Sequence, residues 1–199
     1  ETIKPHANFM LFATQNPAGA YGGRKTLSRA FRNRFIEIYV DDIPEQELPT
    51  ILEKSCLIAE SQAKRMVQSS KKLRQHRQKS AIFAGKHGYI TPRDLLKWGN
   101  RSQRTTLQEM SDNRYTLLAE RLRDSGEKVI VKNILQKEFK STLKTESMYD
   151  DYVASLLREA DGSGRLDSKI SMGKSMQRLF ALIHKCWRNG EPVLLVGET

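Results

Sequence analysis

Apolar and polar positions follow three different rhythms along the chain. Residues 9–13 (FMLFA) are apolar without interruption and run into Thr14, Gln15, Asn16 and Pro17, which predicts a strand buried on both faces. Pro17 and Gly19 would stop a helix there. Residues 16–23 are turn-rich, and Thr26 or Ser28 is placed to cap a short helix carrying Arg29, Arg32 and Arg34. Residues 35–40 (FIEIYV) predict a second strand, ended by Asp41, Asp42 and Pro44.

Beyond Pro44 the period changes to that of a helix. Leu48, Ile51, Leu52, Ile58, Ala59, Met66 and Val67 predict one amphipathic helix over about 45–67. Gly85 and Gly88 mark a break, after which Thr91 caps a helix with Pro92 at its first position, running through Leu95, Leu96 and Trp98 to about Arg101. Tyr115, Leu118 and Leu122, then Ile130, Ile134, Leu135 and Phe139 beyond the Ser125/Gly126 turn, predict a helical hairpin, with a β-branched strand at 129–131 as the alternative. Residues 141–171 have weak periodicity and are read in part as linker. Met176, Leu179, Phe180, Ile183 and Trp187 form one helical stripe stopped by Asn189 and Gly190, and residues 192–196 (PVLLV) predict a buried strand before Gly197, Glu198 and Thr199.

Composition narrows the class. The 199 residues carry 34 Lys and Arg against 23 Asp and Glu, a net charge of +11, with mean hydropathy −0.59. This suits one domain or two small pieces with a real core, and no run approaches the ~20 apolar residues of a membrane span. The two cysteines, Cys56 and Cys186, are far apart and lack metal-ligand spacing, which argues against a disulfide scaffold or zinc site and for a reducing compartment. The start at Glu1 without a signal pattern, and the end just after a strand-like run, read as a piece of something longer. Between Ser61 and Arg93 there are nine Lys or Arg and no acid. Such a run is either a solvated helix face or a site for phosphates or an acidic partner, and its sparse aromatics do not support stacked readout of single strands.

The chemistry lies in short motifs. An apolar strand running into Gly197 is how a phosphate-binding P-loop begins, where loop N–H groups wrap phosphate, although an ordinary turn has the same start. Residues 12–35 (FATQNPAGAYGGRKTLSRAFRNRF) sharpen this. A buried strand ending in TQNP, followed by a helix ending in Asn33-Arg34-Phe35, resembles the second half of an AAA+ ATPase core, most closely that of giant dynein-related members with six modules on one chain. The resemblance covers residues 1–105 and 172–199 well and 106–171 only as a helical lid extension. It makes Asn16 the sensor 1 residue that orients the attacking water, and Arg34 the arginine finger that reaches a neighbouring module's nucleotide. It also makes ITPRDLLKW (residues 90–98) the sensor 2 helix, with Arg93 directed at a phosphate, and Gly197, Glu198 and Thr199 a truncated P-loop. Bland readings stand beside these: Asn16 as a turn starter, Arg34 in a surface ion pair, Arg93 as a solvated first-turn residue beside Asp94.

The expected fold class is therefore an α/β P-loop AAA+ fragment, predominantly helical. Residues 1–43 would end one α/β core, 44–165 form a helical lid with linker, and 166–199 open the next module with its first helix and strand. The resemblance implies ATP and Mg²⁺ as cofactors, bound at sites incomplete here, so these residues alone are expected not to hydrolyse ATP. It also implies a nuclear protein (nucleolus and nucleoplasm) that remodels and releases assembly factors from large ribosomal subunit precursors. Its partners would be neighbouring AAA+ modules, pre-ribosomal particles and, through the stretch Lys64–Lys86, rRNA; no membrane and no metal ligand set is expected. The rival reading is a basic helical nucleic-acid-binding module without ATPase activity.

Overall fold

All regular structure in the computed structural model is helical among the described residues, which are 4–15, 27–79, 91–122, 124–161 and 172–195. The helices are α1 (Arg29–Arg32), α2 (Leu48–Cys56), α3 (Glu60–Lys79), α4 (Pro92–Arg101), α5 (Leu107–Leu118), α6 (Ser125–Phe139), α7 (Met148–Asp161) and α8 (Lys174–Arg188), with a 3₁₀ turn at Ala119–Arg121 after α5. Backbone contacts divide the chain into two units, Glu1–Asp41 and Asp42–Thr199.

In the first unit only α1 is regular among the described residues. Ser28 caps it by accepting a hydrogen bond from the Phe31 N–H at 3.3 Å, and the Phe31 and Phe35 rings stand 5.4 Å apart. The strands expected at 9–13 and 35–40 do not form. A strand is stable only when a neighbour takes its backbone groups and covers its side chains. Here neither run has a partner strand among the described residues, and Ile36 and Val40 are 92% and 90% exposed. The same holds for residues 192–195, extended but unpaired, with Leu194 exposed.

The second unit is a bundle. The residues expected to form one helix over 45–67 form two, because Leu57 adopts a left-handed conformation (φ 52°) and ends α2. Cys56 and Ile58 are both buried, yet two residues apart lie about 200° around a helix, so one stripe cannot bury both. The turn between α2 and α3 lets Leu48, Leu52 and Cys56 enter the core from one side and Ile58, Ala63 and Met66 from the other. Trp98 of α4 is fully buried, donates its Nε1–H to the Met110 carbonyl at 2.7 Å, and meets the Phe139 ring edge-on at 5.4 Å. Thr91, Thr106 and Asp124 cap α4, α5 and α6 with their side-chain oxygens. Residues 129–131 are helical: Val131 is buried and Val129 exposed, as α6 requires and a strand does not.

Of residues 141–171, read in part as linker, those up to Asp161 hold structure: Leu143 sits in the main core and α7 runs from Met148 to Asp161, while residues 162–171 lie outside the described residues. Helix α7 pairs with α8 around a small second core of Tyr149, Val153 and Ala181. On α8, Met176, Leu179, Phe180 and Trp187 remain 37–75% exposed, so most of its apolar stripe is uncovered. No helix among the described residues is long and apolar enough to cross a membrane.

Candidate functional site

The first turn of α4 is built for rigidity. Thr91 Oγ1 accepts from the Asp94 N–H at 3.2 Å, while Asp94 Oδ2 accepts from Thr91 N–H at 3.0 Å and from Thr91 Oγ1–H at 2.9 Å. This reciprocal capping box satisfies donors that a helix start otherwise leaves free, and Pro92 at the first helical position has no N–H to satisfy. The other Asp94 oxygen takes an Arg121 Nη1–H at 2.8 Å. Burial pushes the Asp94 carboxyl up, but the Thr91 hydrogen bonds and Arg121 outweigh it and hold it below its ordinary range.

Both Asp94 oxygens are taken, and Arg93, second residue of the helix, is exposed and free of ion pairs with the described residues. A fixed backbone presenting an unneutralised guanidinium beside a helix N-terminus can meet a phosphate group.

Beneath this turn lies Arg114, a residue the sequence pattern does not single out. It is fully buried on α5, with its guanidinium 5.0 Å over the Trp98 ring and its Nη1 3.5 Å from the Asp94 carbonyl oxygen. Its Nε and Nη2 have no hydrogen-bond partner among the described residues, and burial pulls its pKa down to about 10. The far end of α4 is anchored as well. Arg101, buried, donates from Nε to Glu191 Oε1 at 2.8 Å and from Nη2 to Glu191 Oε2 at 2.6 Å, and Nη2 also lies 3.2 Å from Cys186 Sγ.

Other expected residues are placed as follows. Arg34 is exposed, just after α1; the nearby carboxylate of Glu37 pairs with Arg32 at 2.6 Å instead. Arg34 and Arg93 belong to different units. Asn16, Gly197, Glu198, Thr199 and Lys86 lie outside the described residues. On the basic helix, Lys64 pairs with Glu60 at 2.6 Å, Lys71 and Arg74 reach Glu45 at 2.9 and 3.8 Å, and Lys72 pairs with Glu138. Arg65 donates to the Glu138 carbonyl at 2.8 Å. Much of the positive charge on α3 thus ties that helix to its neighbours. Cys56 is buried and free, with burial pushing its thiol pKa up, which makes it inert. Among the described residues no group of three His, Cys, Asp or Glu could hold a metal ion.

Sequence comparison gives the class of this bundle: residues 47–142, which span α2 to α6, match the family described as midasin AAA lid domain. The particular relative follows. Over 211 aligned residues the chain is 51% identical to midasin from Dictyostelium discoideum, covering 100% of this chain and 4% of that protein. Over 219 residues it is 35% identical to midasin from Giardia intestinalis, covering 99% of this chain and again 4% of the relative. The chain is thus midasin-like along its length, an AAA+ family member spanning about 4% of the length of these relatives. No solved structure matches it.

Proposed function

We propose that this chain is part of a tandem AAA+ ATPase ring, nuclear in location, that couples ATP hydrolysis to the remodelling and release of assembly factors from large ribosomal subunit precursors. Residues 1–43 would end one α/β core, 44–165 form its lid, and 166–199 open the following module with a helix, a strand and the start of a P-loop. The observation that carries this reading is the lid itself: a bundle matching the midasin AAA lid whose α4 holds Arg93 exposed and unpaired on a capped first turn.

In this reading ATP with Mg²⁺ supplies the phosphoryl group whose transfer to water drives the ring. Arg93 binds a phosphate from the lid side, and Thr91, Asp94 and Arg121 keep its helix turn in place. Arg34 stabilises charge developing at an adjacent module's nucleotide, and Asn16 orients the attacking water. The exposed flanks of Lys71 and Lys72 leave room for a second anion, so contact with rRNA phosphates belongs to the same proposal.

The test is Arg93→Ala in the full-length protein. A charge-assisted hydrogen bond contributes ~1.5–3 kcal/mol. Its loss should weaken ATP binding or turnover at one site by about ten- to a hundred-fold, and lid stability should not move because the side chain is exposed. Unchanged affinity and turnover at every site would remove Arg93 from the nucleotide.

A further inference from the structure

The second unit contains two apolar cores. The larger draws on α2 to α6 and ends with Leu143; the smaller, Tyr149, Val153 and Ala181, belongs to α7 and α8, and Met148 is the side chain that packs against both. Polar contacts among the described residues also join α7 and α8 to the lid. At one end of α8, Arg178 pairs with Glu120 of the 3₁₀ turn, and the same carboxylate accepts from the Tyr149 hydroxyl of α7, with Lys128 of α6 at 3.9 Å. At the other end, Glu191 receives both hydrogen bonds from Arg101. Arg101 also meets Cys186, eight residues beyond Arg178, so the two points lie about 12 Å apart along α8.

We propose that α7 and α8 form a detachable arm, held on the lid by a two-point charged latch at Glu120–Arg178 and Arg101–Glu191. The two points differ in character. Arg101 and Glu191 have side chains 4% and 14% exposed, so salt screens that pair weakly, whereas in the other pair Glu120 is 9% but Arg178 43% exposed, so salt reaches it from the arginine side. Between them, Lys185 sits near Asp112, and burial works against the charge on each: the lysine is pulled down and the aspartate pushed up. Charge attraction at the ends thus offsets desolvation in the middle. An element held by few apolar contacts and a few ion pairs opens at lower free energy than the core beside it.

The arm carries residues 191–195 with it, because Glu191 follows α8 by three residues. Arg93 and Arg101 stand eight residues apart on α4, about 12 Å along one rigid helix. Movement of α4 as a body therefore also moves Arg101 and its contact with Glu191, and it carries the buried Leu95 and Trp98 along. A link from this movement to nucleotide rests on the role proposed for Arg93; the latch itself rests only on contacts within residues 101–191.

Hydrogen–deuterium exchange of the full-length protein, read on peptides from these 199 residues, tests it. In Glu191→Gln and Glu120→Gln, amides of α8 should exchange at least about tenfold faster than in the unaltered chain, while those of α5 and α6 stay within about twofold. Raising NaCl from about 0.05 to 1 M in the unaltered chain should move α8 in the same direction and leave α5 and α6 in place, a reading that survives if a variant fails to fold. Equal acceleration of α8 and α5 would make the unit one cooperative body and overturn the proposal. So would α8 exchange that answers neither to the substitutions nor to salt.

Discussion

Gly99→Ala is the sharpest probe of how α4 is seated. A Cβ at Gly99 would lie 2.6 Å from Cys56 Sγ, 3.0 Å from Cys56 Cβ and 3.2 Å from Leu52 Cδ2. Neither neighbour can turn into solvent, since Cys56 and Leu52 are 0% and 1% exposed. Alanine gains ~1 kcal/mol of helix propensity over glycine, but overpacking a tight core costs ~1–3 kcal/mol. Opening a 2.6 Å contact to ordinary van der Waals distance needs a shift of most of an ångström between α2 and α4, so steric cost wins and the net loss should be about 1 kcal/mol. Cys56→Ala removes the Sγ and leaves a small void, at a cost of about 1 kcal/mol. In the double variant the new methyl enters that void, so the combined loss should fall short of the sum by ~1 kcal/mol. Urea unfolding under reducing conditions, read as midpoints at a shared slope, measures all three. Strict additivity, or a Gly99→Ala chain that gains the full propensity term, would refute the close approach of α2 and α4.

Two further outcomes follow from charge. Glu120 is pushed up by burial but held below its ordinary 4.5 by Arg178 and Tyr149, and Asp94 is likewise held below 3.8, so both contribute stability that is complete above those values and is lost as pH falls through the folded-state pKa. Stability should decline from about pH 4.5 downward, and more shallowly in Glu120→Gln; Asp112, pushed up by burial, works in the opposite direction, and a Glu120→Gln profile parallel to the unaltered one would sink the assignment. Arg34→Ala in the full-length protein should leave nucleotide binding intact and slow turnover at one neighbouring site by about 10³-fold or more, as loss of an arginine finger does. Normal single-site turnover would show that Arg34 is only a surface residue.

Local chemistry makes α4 legible in the sequence. Thr91, Pro92 and Asp94 fall in capping-box order within four residues, and the buried Leu95 and Trp98 share one face. The αL ending of α2 is hidden because the apolar spacing around Cys56 and Ile58 fits a continuous helix loosely; only the burial of both residues exposes the break. Helix α7 is hidden for a different reason. Part of its inner face meets charged and aromatic partners, Tyr149 with Glu120 and Tyr152 with His184, so its apolar period is diluted. Arg101 and Glu191 are 90 residues apart, and Glu120 and Arg178 are 58 apart; no pattern within either segment marks such a pair. Arg114 offers a faint signal, a lone cation between Ser111 and Tyr115 on a face that folding buries.

The distribution of apolar exposure separates a closed bundle from open segments. Helices α2 to α6 enclose Trp98, Phe139, Leu135 and Met110 with little large apolar surface left over. Outside them, Ile36, Ile38, Tyr39 and Val40, the outer stripe of α8 and residues 193–195 are apolar and exposed. Scattered exposed apolar residues need no explanation, but contiguous runs with strand or helix periodicity are contact surfaces. Arg34 lies two residues before the first of these runs, and Glu191 two residues before the last. Both candidate working ends therefore adjoin surfaces awaiting contact, whereas Arg93 stands on the self-sufficient bundle. Substitutions inside that bundle should act through stability, and those at Arg34, Arg93 or the Arg101–Glu191 pair through what the bundle is joined to.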